Sequence, residues 1–495
     1  MKITLVYSRM LVNTSHPIGL LSIAAYLERE GHEVKVIDPS LNDSDKIIVQ
    51  SILRDNPDIV GFTAVTLEFN KAMRIATELK KHSDVPVVIG GVHATILPEE
   101  VANYGCFDYI VVGEGEETVS ELLNAIKAGK DIKDIKGLVY KKGGKVIFNS
   151  KRSLIEDIDS LPFPARHLMP DELYYAPPKV RSFWSKRIAN IMVSRGCPFQ
   201  CNFCSSNLMF GRRVRLKSPK RVIEEIRDLR VRFNIDALRF DDDTFCVNRE
   251  WTLEVCKGLE NLRKEFNWKN LKWCCQSRVD TITPELLAVM KKAGCKEIDF
   301  GVESGSPRIL GILKKNINIP SVIKAFDITK KFGILRGATF IIGTPGETEE
   351  DLKLTEKLVR RIKPNYADFC FMIPFPGTGL YEITKKLGIF SKEDVPFDQW
   401  LFNKDTDKPI MSVNMPEERL IYWRTRLYNL SFWRNYSNLV RCPGFILGSI
   451  KILIIGHKGF VPGLKRFIIT GKIDSFFLEH LNQYRIKLKR SALQQ

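Results

Sequence analysis

Short apolar runs alternate with amphipathic segments along the first 135 residues of this 495-residue chain. Five of the runs are rich in β-branched residues and have the length of buried strands, whereas the segments 20–30 and 71–81 carry apolar residues at helical spacing. The predicted strands are Ile3–Val6, Val34–Ile37, Ile59–Thr63, Val87–Ile89 and Tyr109–Val112. Strands that alternate with helices predict a doubly wound, Rossmann-like parallel sheet, which binds ligands at the carboxyl ends of its strands.

The same alternation resumes after a linker whose prolines, in the segment 155–164, favour extended backbone. Six further strands are predicted at Ile188–Ser194, Ala237–Phe240, Lys272–Gln276, Glu297–Phe300, Gly337–Ile342 and Asp368–Met372. Six strand–helix units predict a partial (β/α)6 barrel with its active site at the carboxyl ends of the strands. We therefore predict an α/β protein with a sheet domain over 1–135, a linker over 136–185, a barrel over 186–390 and a mainly helical extension over 391–495.

Three cysteines follow the first predicted barrel strand at gaps of three and two residues: Cys197, Cys201 and Cys204. One short loop with this spacing can wrap a corner of a [4Fe-4S] cubane, so that three irons gain thiolates and the fourth has no evident protein ligand. A structural zinc site would need a fourth ligand, but the next cysteine is Cys246 and no histidine lies between. The spacing therefore predicts an iron–sulfur cluster with one iron open to chemistry.

The composition is that of an ordinary globular protein, with 44% hydrophobic and 27% charged residues. Eleven cysteines occur in a chain that opens directly into a predicted strand without a secretory signal. Thiols and metal ligands are then expected rather than disulfides, which predicts a reducing, cytoplasmic location. The other cysteines show no ligand spacing, so no second cluster is predicted.

The carboxyl-terminal segment combines positive charge with apolar and aromatic residues. From residue 416 onward, 14 Lys and Arg stand against 4 Asp and Glu, which is more than half of the net charge of +18. The apolar run 445–455 lies among these charges, but it is shorter than the roughly 20 residues of a spanning helix. Two interpretations follow, namely peripheral contact with a membrane and a helical cap over the active site. Nucleic-acid binding is not expected.

With the aromatic residue Phe203 before its last cysteine, the segment Ser194–Ser205 resembles the cluster loop of the radical S-adenosylmethionine (SAM) superfamily. The resemblance implies that SAM chelates the open iron through its amino and carboxylate groups. It also implies an electron donor, such as flavodoxin or ferredoxin, whose electron splits SAM into methionine and a 5′-deoxyadenosyl radical.

Several phrases of the first domain resemble the cobalamin-binding domain that precedes the radical SAM core in one large subgroup. They are residues 17–27, 31–38, 57–63, 90–95 and 113–116. The subgroup includes hopanoid methylases, phosphinate P-methylases and the anaerobic magnesium-protoporphyrin cyclase. The resemblance implies that cobalamin contacts the glycine-containing turns after the fourth and fifth strands, at Gly90, Gly91, Gly113, Glu114 and Gly115.

One departure concerns the lower ligand of cobalamin. The Asp-x-His-x-x-Gly loop of many cobalamin domains is absent, and His16 and His93 lie outside such a pattern. Many members of the subgroup hold cobalamin without a histidine ligand. A domain that kept its fold and lost its cofactor is the alternative.

The resemblance also implies SAM-binding residues at the barrel strand ends. Residues 240–245 match the Phe-x-Asp-Asp-x-Phe phrase of the subgroup, which places Asp242 or Asp243 beside SAM or substrate, although a carboxylate there could equally cap the next helix. Glu303 and Ser304 are expected near the ribose and carboxylate of SAM. Further candidates are Gln276 and Arg278, of which Arg278 pairs either with the carboxylate of SAM or in a surface ion pair.

These expectations lead to one main function and two alternatives. The main one is a cobalamin-dependent radical SAM enzyme that methylates an unactivated carbon of a hydrophobic substrate, such as a lipid, an isoprenoid or a tetrapyrrole. One SAM would supply the radical and a second would methylate cobalamin. The first alternative is radical cyclisation, carbon–carbon coupling or oxidation without methyl transfer. The second alternative, of another class, is a non-catalytic iron–sulfur sensor or scaffold.

Overall fold

A computed structural model describes residues 1–8, 16–39, 43–171, 187–389 and 415–439, with side chains up to residue 431 in the last range. The described chain divides into two compact units. The first unit combines residues 1–170, 195–217 and 374–389, as far as they are described. The second combines 187–194, 218–373 and 415–439.

The first unit is built on a seven-stranded sheet of order β2-β1-β3-β4-β5-β6-β7. Its strands are β1 (Lys2–Tyr7), β2 (Glu33–Ile37), β3 (Ile59–Thr63), β4 (Val87–Gly90), β5 (Tyr109–Val111), β6 (Leu138–Lys142) and β7 (Lys145–Phe148). The first five are parallel and follow the prediction closely. The last two are antiparallel, so the sheet continues beyond residue 135, where the predicted domain ended. Gly143 and Gly144 form the turn of this edge hairpin.

Helices cover both faces of this sheet, as a doubly wound fold requires. They are α1 (Ile18–Arg29), α2 (Asp45–Asp55), α3 (Phe69–Lys80), α4 (Val92–Ile96), α5 (Pro98–Asn103) and α6 (Glu116–Ala128). On one face, Ile52 of α2 and Ile75 of α3 pack in the core, and on the other Leu27 of α1 and Leu122 of α6 do so. The predicted Rossmann-like architecture is confirmed.

The second unit is built on a six-stranded parallel sheet of order β15-β14-β13-β12-β11-β8. The strands are β8 (Ile188–Ile191), β11 (Ala237–Phe240), β12 (Lys272–Ser277), β13 (Cys295–Glu303), β14 (Leu335–Ile342) and β15 (Tyr366–Phe371). The helices are α8 (Pro219–Phe233), α9 (Arg249–Glu265), α10 (Pro284–Lys292), α11 (Pro307–Ile312), α12 (Ile319–Lys331), α13 (Glu349–Ile362) and α15 (Glu417–Leu439). This is the predicted partial (β/α)6 barrel.

The start of the carboxyl-terminal segment packs on the barrel. In α15, Arg424 Nε donates to the carbonyl oxygen of Phe369 at 2.9 Å, and Trp423 is only 4% exposed. Arg419 and Arg426 pair with carboxylates of α13. The helical prediction therefore holds for this stretch, and part of its aromatic content serves packing.

The apolar run 445–455 and the aromatic side chains of Phe432, Trp433 and Tyr436 lie outside the described residues. Within the described residues, no helix combines the length and apolar character needed to cross a bilayer.

Candidate active site

The three predicted cluster ligands lie on one short loop of the first unit. The loop runs between β9 (Ser194–Arg195) and β10 (Arg215–Leu216), which pair with each other, and it contains α7 (Ser206–Phe210). Cys197, Cys201 and Cys204 are all partly exposed, and none is in a disulfide. The backbone N–H of Cys204 donates to the carbonyl oxygen of Cys201 at 3.2 Å, which closes a tight turn. Three partly exposed thiols on one short loop fit the ligand set of a cubane corner.

A site for a single metal ion would need at least three ligands that converge on one point. Among the described residues, no three Cys, His, Asp or Glu side chains are placed to hold a metal ion together. The thiolates of a cubane each bind a different iron and need not converge on one point.

A glycine before the first cysteine sets the course of the loop. Gly196 has φ +90°, and a Cβ at this position would lie 2.3 Å from the carbonyl oxygen of Arg213. Any other residue would displace the backbone there.

A second contact that supports the cluster loop comes from the segment before α14 (Gly379–Lys386). Leu380 N donates to the carbonyl oxygen of Asn202 at 3.0 Å. A Cβ at Gly379 would lie only 1.7 Å from Oδ1 of Asn202. The side chain of Thr378 accepts from Tyr381 N and caps α14. The middle of the cluster loop is thus packed against the amino-terminal end of this helix.

Four charged side chains, here called the Glu–Arg network, join the cluster loop to the turn after β5: Glu114, Glu116, Arg195 and Arg215. Arg195 Nη1 donates to Glu114 Oε1 at 2.6 Å, and Arg195 Nη2 donates to Glu116 Oε1 at 2.5 Å. Arg215 Nη1 donates to Glu114 Oε2 at 2.8 Å. The two glutamates balance the charge of the two arginines.

The environment of Glu114 shows which effect controls its ionisation. Burial alone would raise the pKa of this carboxyl, but the hydrogen bonds from Arg215 and Arg195 outweigh burial and hold the pKa below its ordinary value. Oε2 also accepts from Ile155 N at 2.8 Å. Both oxygens of Glu114 are thus engaged within the protein.

The glycines predicted to approach cobalamin lie at the carboxyl ends of β4 and β5. Gly91 has φ +95°, and a Cβ there would lie 2.8 Å from the carbonyl oxygen of Ala64 after β3. Gly113 N donates to Thr95 Oγ1 at 3.0 Å, and Gly90 and Gly113 are partly exposed, whereas Gly115 is buried. The backbone is accessible at the carboxyl ends of β4 and β5, which is the edge where doubly wound sheets bind ligands. This position fits a bound planar cofactor.

The histidine next to these glycines is a core residue. His93 is fully buried, and its ring stacks on that of Phe69 with 4.1 Å between centroids. Burial lowers the pKa of His93 to about 3, so the ring is neutral. His16 is also buried, at 3% exposed. This packing gives His93 a structural role and agrees with the absence of a histidine-ligand motif.

In the second unit, Asp242 accepts hydrogen bonds from the backbone that follows β8. Its Oδ1 accepts from Val193 N at 2.9 Å, from Ser194 N at 2.6 Å and from Ser194 Oγ at 2.6 Å. Burial raises the pKa of Asp242 to about 7. Its Oδ2 has no hydrogen-bond partner within the described part of the chain.

The helix-capping alternative for this acidic segment is wrong. The side chain of Asn248 caps α9 by accepting from Trp251 N at 3.0 Å. Asp243 is exposed to solvent. Of the two predicted carboxylates, Asp242 therefore holds backbone and Asp243 has the accessibility that a ligand requires.

Glu303 and Arg278 are joined through a residue that the sequence did not indicate. Lys315 Nζ donates to Glu303 Oε1 at 2.7 Å, and both side chains are under 10% exposed. Arg278 Nη2 donates to the carbonyl oxygen of Lys315 at 3.0 Å and to Asp280. Lys315 lies after α11 and has no motif or periodicity that marks it, so its pairing could be found only in three dimensions.

The remaining predicted SAM residues differ in accessibility. Gln276, on β12, is exposed. Ser304 is fully buried, and its Oγ accepts from Ser306 N at 3.1 Å and lies 3.4 Å from Thr355 Oγ1. This side chain fixes the turn after β13.

A polar face in the middle of the barrel sheet was not predicted from the sequence. Tyr366 Oη donates to Glu297 Oε1 at 2.9 Å. A Cβ at Gly337 would lie 2.1 Å from Asp299 Oδ1, and Arg239 donates through Nε to Asp241 at 2.6 Å. The signal was present, because polar residues alternate with apolar ones along β13 from Glu297 to Phe300.

Glu347, in the turn after β14, is a buried carboxyl with an unusual proton affinity. It is 2% exposed, and its Oε2 accepts from Gly343 N at 2.7 Å. Burial raises the pKa of Glu347 from 4.5 to about 8. The folded protein therefore holds a proton here at neutral pH.

Glu347 should make stability depend on pH. The folded protein binds this proton more tightly than the unfolded chain. The stability that protonated Glu347 contributes is therefore complete below pH 4.5 and is lost as the pH rises through about 8. The loss is at most about 5 kcal/mol. Thermal unfolding at pH 6 and pH 9 should show that Glu347→Gln gains stability relative to the wild type at the higher pH. Glu350→Gln, an exposed neighbour, is the control, and an equal pH response of both variants would contradict the assignment.

Comparisons with known proteins agree with this arrangement. Residues 6–123 match the B12 binding domain, and residues 191–359 match the radical SAM superfamily. The chain is 39% identical over 379 residues to an uncharacterized methyltransferase of Pyrococcus horikoshii, covering 76% of this chain and 79% of that protein. It is 30% identical over 392 residues to the anaerobic magnesium-protoporphyrin IX monomethyl ester cyclase of Rubrivivax gelatinosus, covering 77% of this chain and 68% of that protein.

A solved structure shares the fold. The radical SAM methyltransferase TsrM of Kitasatospora setae superposes with a TM-score of 0.66 at 20% identity, over 78% of this chain and 76% of that chain. The chain therefore belongs to the family of radical SAM enzymes with a B12-binding domain, whose cofactors are a [4Fe-4S] cluster, SAM and cobalamin.

Proposed function

We propose that the protein is a methyltransferase that acts on an unactivated carbon. The observation that carries this proposal is the composition of the first unit, in which the loop with Cys197, Cys201 and Cys204 belongs to the same compact unit as the doubly wound sheet. Methyl transfer to an unactivated carbon needs both a radical source and a methyl carrier, and this unit offers the residues for the cluster and for the methyl carrier.

The proposal assigns the residues as follows. The three cysteines hold the cluster, and the backbone at Gly90, Gly91, Gly113 and Gly115 contacts cobalamin. Asp243, Gln276, Arg278 and Glu303 lie at barrel strand ends and orient SAM, while Asp242 and Ser304 hold the backbone beside them. When bound, the cluster and SAM supply the radical that removes a hydrogen atom, and cobalamin supplies the methyl group.

The substrate is proposed to be a hydrophobic small molecule that carries polar groups. The relatives named as acting on hydrophobic molecules include the cyclase and a hopanoid C-2 methylase of Rhodopseudomonas palustris, which is 25% identical over 382 residues. The polar face with Glu297, Asp299 and Tyr366 supports hydrogen-bonding substituents on that molecule.

A cyclase-like reaction without methyl transfer is the second candidate. The identity of 30% to the magnesium-protoporphyrin cyclase favours it. It shares the radical step and differs in the fate of the SAM methyl group.

Product analysis separates these functions without knowledge of the substrate. The protein is reconstituted anaerobically with iron, sulfide and cobalamin, reduced with titanium citrate and incubated with methyl-labelled SAM. A methyltransferase releases both 5′-deoxyadenosine and S-adenosylhomocysteine, whereas a cyclase-like enzyme releases 5′-deoxyadenosine alone. Absence of both products would reject the proposal in favour of a non-catalytic scaffold.

A further inference from the structure

The Glu–Arg network lies at the two ends of the segment that carries the cysteines. Arg195 is two residues before Cys197, and Arg215 follows Cys204 by eleven residues. The strands that contain the two arginines, β9 and β10, pair with each other. Whatever fixes these arginines therefore fixes both ends of the segment 196–214.

One carboxylate holds both ends. Glu114 accepts from Arg195 at 2.6 Å and from Arg215 at 2.8 Å. Glu116 accepts from the other terminal nitrogen of Arg195 at 2.5 Å and from Ser22 Oγ at 2.9 Å. Two carboxylates on the two terminal nitrogens of one planar guanidinium determine its orientation, which a single contact would leave free to rotate.

Arg215 depends on Glu114 for its charge partner. Its side chain is 3% exposed, and its Nη1 is the atom that contacts Glu114 and the carbonyl oxygen of Ile155. Its Nε and Nη2 have no hydrogen-bond partner among the residues that the structure describes. Removal of the Glu114 charge would leave a buried cation without compensation.

The carboxylates come from the turn that carries Gly113 and Gly115. The backbone of this turn is the part proposed to contact cobalamin, while its side chains reach the cluster loop. Buried ion pairs add little net stability compared with apolar residues, so their value here lies in a defined geometry.

We propose that Glu114 and Glu116 are positioning residues for the iron–sulfur cluster, which act through Arg195 and Arg215 on the conformation of the cysteine loop. The inference rests on the proposed role of Cys197, Cys201 and Cys204 as cluster ligands. In this proposal the turn after β5 both contacts cobalamin and orients the cysteine loop.

The test compares Glu114→Gln with Glu117→Gln after anaerobic reconstitution. Glu117 is three residues from Glu114, in the first turn of α6, but it is 41% exposed and pairs with Arg152. The readouts are iron and sulfide per chain after a chelator challenge, and the electron paramagnetic resonance spectrum of the reduced cluster with and without SAM. Glu114→Gln should weaken iron retention by roughly 10- to 100-fold, the usual effect of removing a residue that orients metal ligands. Glu117→Gln should match the wild type.

Folding is followed in the same samples by circular dichroism and thermal unfolding. Should Glu114→Gln not fold, the double variant Glu116→Gln with Arg195→Gln decides, because it removes one positive and one negative charge together. A folded double variant with reduced iron retention or an altered spectrum supports the inference. A folded double variant, or a folded Glu114→Gln variant, with the wild-type cluster overturns it. A wild-type protein that takes up no cluster would instead reject the proposed function, because the control would fail equally.

Discussion

Cys201→Ala is expected to lower the release of 5′-deoxyadenosine from SAM to the background level. Loss of one thiolate leaves two irons of the cubane without protein ligands, and a cluster held by two cysteines neither binds stably nor presents one defined open iron. The expected loss is at least about 10³-fold, because electron transfer to SAM has no other route in the proposed mechanism. The measurement is chromatography of 5′-deoxyadenosine from anaerobic reactions with titanium citrate as the reductant.

Cys370→Ala is the matched control for this prediction. Cys370 lies on β15 and is partly exposed like the loop cysteines, but it belongs to the barrel sheet and not to the loop. It should retain both its iron content and 5′-deoxyadenosine release. Equal activity of Cys201→Ala and the wild type would show that the loop does not hold the catalytic cluster.

The local pattern of apolar residues was sufficient to predict the parallel strands, but it did not predict the antiparallel hairpin of β6 and β7 at the sheet edge. The strand Ile59–Thr63 has the predicted bounds, because a buried strand between helices is marked by a nearly continuous apolar run. The hairpin of β6 and β7 was missed, since β7 is only four residues long and none of its residues is fully buried. Its alternation is too short to stand out from a linker.

Residues of the candidate site could be predicted where a sequence motif marks the segment that carries them. The cysteine loop has a residue spacing typical of cluster ligands, and the structure closes a turn between Cys201 and Cys204. Glu114, by contrast, was predicted as a cofactor contact from its place beside two glycines. Its pairing with Arg195 and Arg215 joins residues about 80 and 100 positions apart, and no local periodicity encodes such a contact.

The same limit applies to the strand-end carboxylates. Asp242 and Asp243 are neighbours in one motif, yet one is buried on the backbone of Val193 and Ser194 and the other is exposed. The difference arises beyond the end of β11, where the chain leaves regular strand structure and bends at Asp243. A motif identifies the segment, and the packing then decides which of its members can reach a ligand.

Glu303→Gln is expected to destabilise the strand end that carries it by about 3–5 kcal/mol, because the buried ammonium group of Lys315 would lose the negative charge of this carboxylate. The Nζ–Oε1 distance is 2.7 Å, and the two side chains are 8% and 7% exposed. Glu303 has φ +68°, and Gln at this position has the same backbone strain, so the variant tests the charge. Hydrogen exchange of peptides from β13 should become faster by roughly two to four orders of magnitude.

Asp327→Asn provides the control for this effect. Arg361 and Asp327 are also 2.7 Å apart, but their side chains are 52% and 44% exposed, so loss of that pair should leave exchange in β13 unchanged. The double variant Glu303→Gln with Lys315→Met should recover most of the protection, since no unpaired charge remains in the interior. If Glu303 also contacts SAM, the double variant will still bind SAM more weakly than Lys315→Met alone, which separates the ligand role from the structural one. Unchanged exchange in Glu303→Gln would mean that solvent or another group already compensates Lys315, and the buried pair would then have no part in holding the strand end.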